Sequence, residues 1–119
     1  MDYFNSSKSS LFRFEALQTY EVASEDMSDS GMKDWWDFIK TKSSAGIIMQ
    51  RVRLVTEPYT KYTTKELELH KKSTLYGDDI RIIKEESFKK LDILLQDFWL
   101  IDDSQVLLMN YSRDGNYIN

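Results

Sequence analysis

The chain contains no cysteine, a single histidine, a single proline and only four glycines in 119 residues. Without cysteine there is no disulfide, no thiolate metal site and no thiol nucleophile, and a reducing compartment suits the chain. With His70 as the sole imidazole, a Ser-His-Asp triad or a multi-histidine metal centre would have to be built round that one residue. No apolar run reaches the length of a membrane span, and Met1 to Ser10 lacks the apolar stretch of a signal peptide, so a cytoplasmic protein without membrane attachment is expected. A broad cationic field is missing as well. The 16 basic and 20 acidic residues are interspersed and leave a net charge of −4, so direct binding to duplex nucleic acid is not expected.

What is present is apolar and aromatic. A hydrophobic fraction of 41% and an aromatic fraction of 13%, with Trp35, Trp36 and Trp99 among the rings, supply burial that a disordered chain does not have. The length suits one core and is too short for two. With no repeat, low-complexity tract or linker, a single domain over residues 1–119 is expected, its first ten residues flexible.

Hydrophobic spacing outlines the elements. Leu11, Phe14 and Leu17 predict a short amphipathic helix within residues 11–20, followed by a polar loop from Val22 to Gly31. Ser30 can cap a second helix that runs to Ser44, with Gly46 as a left-handed stop. The run IIMQRVRLV, Ile47 to Val55, predicts a central strand, and a helix between Pro58 and Gly77 carries a possible capping box at Thr63 and Glu66. A strand at Asp79 to Lys84, a helix from Glu86 to Leu95 with Leu91, Leu94 and Leu95 inward, and a hairpin turning at Asp102 to Ser104 complete the chain. The expected fold is α/β, or α+β: a mixed sheet of four to five strands in β-α-β-α-β-β order, with two N-terminal helices packed on it.

The stretches GIIMQRVRLVTEPYTKY, GDDIRI and DFWLIDDSQVLLMNYSRDGNYI resemble an uncharacterised bacterial family with the pattern RVRVVSEP, GEDIR and DFWLFDD, over about 80 residues from Trp35 to Ile118. Members in actinomycetes are often encoded beside helix-turn-helix regulators, so the resemblance implies a fold and a regulatory setting but no catalytic residue. The tail from DIRII to NY also looks like the end of a phospholipase D-like half-domain. There Asp102 matches the family's aspartate, while Leu95 and Asp97 stand where its catalytic histidine and lysine would be. Such a version keeps the fold and loses the nucleophile and the phosphate-holding cation.

Several side chains are candidates for chemistry, each with a plainer alternative. His70, between Lys71 and Lys72, reads as an exposed helix-surface histidine rather than a catalytic one. Asp97, Asp102 and Asp103 offer oxygen ligands to magnesium, but Asp and Ser also build hairpin turns; no metal and no cofactor is expected. Arg51 and Arg53 alternate on one strand face and, joined by Arg81, would hold a phosphate or carboxylate, with Tyr59 and Tyr62 beside them. The alternative is that these arginines pair with Glu57, Glu66 or Glu68 of the covering helix. Of Trp35, Trp36 and Trp99, one is expected to mark a protein contact, because adjacent Trp35 and Trp36 diverge round a helix.

These observations favour a non-enzymatic binding or regulatory module that recognises a protein partner or a small anionic ligand, in bacterial regulation or in phage defence and counter-defence. Two alternatives stay open: a small acidic inhibitor that coats a larger protein or nucleoprotein, and a metal-dependent phosphoesterase using Asp97 and Asp102. An open sheet edge would favour a homodimer.

Overall fold

The segment SLFRFE forms a strand, β1 (Ser10–Glu15), at the centre of the sheet, where a helix was expected over residues 11–20. The alternation is period two: Leu11, Arg13 and Glu15 point to one face, Phe12 and Phe14 to the other. The charges of Arg13 and Glu15 are buried in ion pairs under the helices, so the strand does not show an apolar-in, charged-out pattern. This computed structural model describes residues 4–20, 27–113 and 115–118.

Helix α1 (Asp29–Ser44) is capped by Ser28, whose hydroxyl accepts from the Gly31 amide, two residues before the cap expected at Ser30. Of the loop expected from Val22 to Gly31, residues 22–26 lie outside the described residues, and Asp29, Ser30 and Gly31 form the first turn of α1 instead. Gly46, at φ 87°, turns the chain into β2 (Ile48–Val55), a strand in the expected place. Helix α2 (Lys61–Tyr76) begins later than Pro58 suggested, with Thr60 as its cap accepting from the Thr63 amide. Thr63 and Glu66 therefore do not form a capping box: the Thr63 hydroxyl bonds the Gln18 carbonyl and Glu66 meets Arg53. Gly77 ends α2 at φ 120°, and a Cβ there would lie 2.4 Å from the Ser43 hydroxyl, so no larger residue fits between the two helix ends.

Strand β3 (Asp78–Lys84) follows, then α3 (Glu85–Lys89), β4 (Phe98–Ile101) and β5 (Gln105–Leu108). The sheet order is β3-β2-β1-β4-β5, parallel from β3 to β1 and antiparallel from β1 to β5. The domain is thus α+β, with five strands and three helices among the described residues. One of the two expected N-terminal helices is the central strand instead. Helices α1 and α2 cover one face, where Trp36, Ile39 and Leu69 pack on Leu11, Met49, Trp99 and Ile101. The opposite face carries only α3, whose Phe88 meets Phe14, Ala16 and Leu54.

The helix expected to reach Leu95 stops at Lys89, and Asp92 turns left-handed at φ 50°. Leu91, Leu94 and Leu95, expected inward, are exposed. A five-residue helix buries only Phe88, so the turns beyond it have no packing to hold them.

The residues leading into β1, expected to be flexible, are tied down from Phe4 onward. Phe4 packs on Trp99, and the Asp102 carboxylate accepts from the amides of Lys8, Ser9 and Ser10 at 2.8–3.2 Å. Those amides hold the Asp102 pKa down to about 2. Its folded pKa lies below the unfolded one, so the tether contributes above the ordinary carboxylate range and is lost as pH falls towards 2. We expect Asp102→Asn, which tolerates the left-handed backbone of that turn, to speed amide exchange at Ser9 and Ser10 and to lower the Tm by a few degrees, with the difference from wild type vanishing at strongly acid pH.

Candidate functional site

The face covered by α1 and α2 holds a band of buried charge. Parallel register puts Arg13 beside Arg51 and Glu15 beside Arg53, and α2 lays Thr63, Glu66, His70 and Ser73 over them at helical spacing. Arg53 is wholly buried: its Nε donates to Glu66 Oε1 at 2.6 Å, and its other nitrogens reach Thr63 and the carbonyls of Glu15 and Leu54. Arg51 bonds Glu15 at 2.9 Å and lies 3.5 Å from Asp78. Arg13 meets Asp97 at 3.2 Å, and Asp97 also accepts from the Tyr20 hydroxyl and the Ala16 amide.

Aromatic rings close over these cations. Arg51 sits under both Trp35 and Trp99, Arg13 under Trp99 and Arg53 under Tyr20, each within 5.8 Å of the ring centroid. Trp36 donates to the Ser73 hydroxyl at 2.9 Å and stacks on Tyr76. Trp36 and Trp99 are therefore core residues and Trp35 is half-buried against Phe38, so the expected protein-contact tryptophan has no exposed ring to serve it.

Sequence reasoning placed Arg51, Arg53 and Arg81 on one anion-binding face, and the structure separates them. Arg81 is in register with Val52, on the opposite face, 76% exposed and paired with its neighbour Asp79. Arg51 and Arg53 have their donors committed to carboxylates and carbonyls, the ion-pair alternative, with Glu66 the partner among the three acids considered. Asp97 was weighed as a magnesium ligand, and Glu15 and Asp78 were not considered as partners of the arginines, because an acidic residue in a segment read as a helix or at a strand end looks solvated until its partner is known. Tyr62 joins the cluster through Glu66 at 3.3 Å and through Tyr20, whereas Tyr59 is exposed.

His70 is buried, not on the helix surface as expected, with Nε2 at 3.2 Å from Glu15 and 3.7 Å from Glu66. Among the described residues the band counts three arginines against four carboxylates and this one imidazole, so a single extra proton makes it neutral. Burial raises the pKa of both glutamates, but Arg51, His70 and Arg13 outweigh it at Glu15, which lies well below the ordinary range. At Glu66 burial and the Glu15 charge outweigh Arg53 and push the value up to about 8. Glu15, Glu66 and His70 bring ligand atoms within 4.8 Å of one another, a spacing that would suit an ion. Their lone pairs already face two guanidiniums, and a dication there would meet both at close range; the trio fits a proton better than a metal.

The two aspartates of the phosphoesterase alternative do not come together. Asp97 and Asp102 lie at opposite ends of β4, about 17 Å apart along an extended strand. One is buried on Arg13 and the other tethers the N-terminal segment. Leu95, at the histidine position of the phospholipase D-like pattern, is exposed on the α3 side of the sheet.

That other side is open and apolar. A cleft of about 610 Å³ is lined by Phe12, Phe14, Phe88, Leu94, Phe98 and Leu108, among others. Leu94 is 80% exposed and Val106 61%, with Leu91, Ile93, Leu95 and Leu108 also largely in water. Such a concentration of exposed apolar side chains is uncommon on a monomer.

Fold and surface together define a small α+β domain with buried ion pairs on one face, where His70 Nδ1 is left without a hydrogen-bond partner among the described residues, and an open apolar floor on the other. The chain belongs to the family of a domain of unknown function (DUF6879), whose model matches residues 1–119. No curated protein matches it. No helix among the described residues is long and apolar enough to cross a membrane.

Removing Arg53 would strand Glu66 in the interior. We expect Arg53→Leu to cost about 3–5 kcal/mol and Arg53→Leu with Glu66→Leu to recover most of it, by urea unfolding. Because the folded pKa of Glu66 is raised, its contribution is full below the ordinary carboxylate range and is lost as pH rises to about 8. Wild-type Tm should therefore fall between pH 5 and pH 8 relative to Glu66→Gln, in which that slope is flattened.

Proposed function

We propose that this chain is a non-catalytic protein-binding module whose recognition surface is the apolar side of the sheet. The observation that carries the reading is the cleft floored by Phe12, Phe14 and Phe98 and rimmed by exposed Leu91, Ile93, Leu94, Val106 and Leu108. A surface of that composition recognises the apolar face of a protein segment, since burial there is the main available free energy. The charged face supports no competing role: its carboxylates, guanidiniums and imidazole face one another, and a hydrolytic centre needs such groups aimed at a substrate. Small anions have little support as ligands, because Arg51 and Arg53 are neutralised inside and Arg81 is held by Asp79.

The motif resemblance to bacterial domains encoded beside helix-turn-helix regulators favours a regulatory setting for this binding. Control of another protein, by holding or blocking it, also accommodates the inhibitor alternative, with the apolar surface rather than the acidic loops as the contact.

The test is capture from the native host with three baits: wild type, Leu94→Asp and Arg81→Ala. Leu94 is so exposed that an aspartate should leave circular dichroism and Tm within error of wild type. A partner retained by wild type and Arg81→Ala but lost at least tenfold by Leu94→Asp is the expected result. Retention by Leu94→Asp would place the contact elsewhere, and loss by Arg81→Ala, on the same side of the sheet, would shift it towards β3.

A further inference from the structure

Strand β5 is the outermost strand of the sheet on the side of the apolar cleft, and it differs from the other edge in one respect that matters. Edge β3 carries Asp79, Arg81 and Lys84, the charged side chains that commonly keep strand edges from pairing with another chain. Edge β5 is Gln105-Val106-Leu107-Leu108: no charge, no proline and no left-handed residue interrupts it. Its Val106 and Leu108 stand on the cleft side of the sheet, in register with Leu100 and Phe98.

From this contrast we infer that β5 pairs with β5 of a second copy of this chain, in antiparallel fashion about a two-fold axis normal to the sheet. The inference rests on the reading of this side as an interaction surface and names one partner for it. The symmetry fixes the register. Such an axis keeps every side chain on its own face, so opposed residues are an even number of positions apart or the same residue. Centring the axis on Leu107 sets Val106 opposite Leu108 of the second copy, and Leu107 opposite itself. Centring it on Val106 or Leu108 instead would set an apolar side chain against Ser104 or Asn110. The Leu107 register alone makes the strand self-complementary.

Pairing in this way satisfies the outer backbone groups of β5 and joins two apolar floors into one. The four opposed Val106 and Leu108 side chains bridge them, and the pairing leaves each cleft facing the same side of a ten-stranded sheet, a count that follows from two copies of the five-stranded order. A second copy fits this edge better than an unrelated strand, because the apolar pattern matches itself with no charge on either side to be buried.

The absence of native cysteine gives a clean probe. Directly opposed residues of an antiparallel pair have Cα atoms about 4.5–5.5 Å apart, within disulfide range. Leu107→Cys should therefore give a covalent dimer under mild oxidation, and Val106→Cys, offset from its own copy, at least tenfold less. Light scattering of the full chain at high micromolar concentration should report a dimer, and Val106→Lys a monomer with unchanged circular dichroism. A monomeric wild type overturns the inference, as does a dimer that survives Val106→Lys or that cross-links through Val106→Cys rather than Leu107→Cys. None of those outcomes touches the binding reading, whose failure shows in capture with Leu94→Asp, a residue outside β5.

Discussion

Everything on the covered face follows from the decision to bury Arg53. A guanidinium without water must have its donors taken, and here a glutamate, a threonine and two backbone carbonyls take them. Glu66 must then face inward from α2, which fixes the rotation of that helix and brings Thr63, His70 and Ser73 to the sheet with it. Ser73 receives the Trp36 indole and so anchors α1 against α2. Glu15 compensates Arg51, and the strand that carries Glu15 has to be central for it to reach both Arg51 and His70. An ion-pair band of this kind adds little net stability over a hydrocarbon core of equal volume, but it penalises every misregistered alternative with an unpaired charge. It specifies the fold more than it strengthens it.

The two faces divide the work. Where α1 and α2 lie, polar groups and aromatic rings interlock. Where α3 lies, the cover is one short helix and the loop after it, and the apolar side chains that a longer helix would have buried remain in water. The same sheet therefore offers a closed, specifying side and an open, adhesive one.

Strands β2 and β3, the glycine stops after α1 and α2 and the final hairpin were legible in the sequence because their signals are local: β-branched runs, Gly46 and Gly77, Asp-Asp-Ser as a turn. The two misreadings had a shared origin. SLFRFE looked helical because Leu11, Phe14 and Leu17 stand three apart; the period-two pattern that the strand follows buries Arg13 and Glu15, which only their distant partners, Asp97 and Arg51, make possible. Leu91, Leu94 and Leu95 looked inward because apolar spacing was assumed to imply a covering partner within the chain. At the site, the pairing of Arg53 with an acid of the covering helix was among the readings weighed. The buried place of His70 was not, since flanking lysines describe the surface of a helix and say nothing of the residue one step round it. A signal was available in the periodicity of Thr63, Glu66, His70 and Ser73, a polar stripe on the very face that also carries Leu69.

The position of β1 has a consequence for how the chain is made. Its first structured strand has one neighbour close behind in sequence and another, across which Arg13 finds Asp97, 84 residues away. During synthesis β1, β2 and β3 can align as a parallel sheet while β4 is still unmade, leaving the Arg13 charge and one flank of β1 bare. The hairpin of β4 and β5 is the piece that closes the centre, so the sheet is completed at its middle, and only after the three parallel strands have been made.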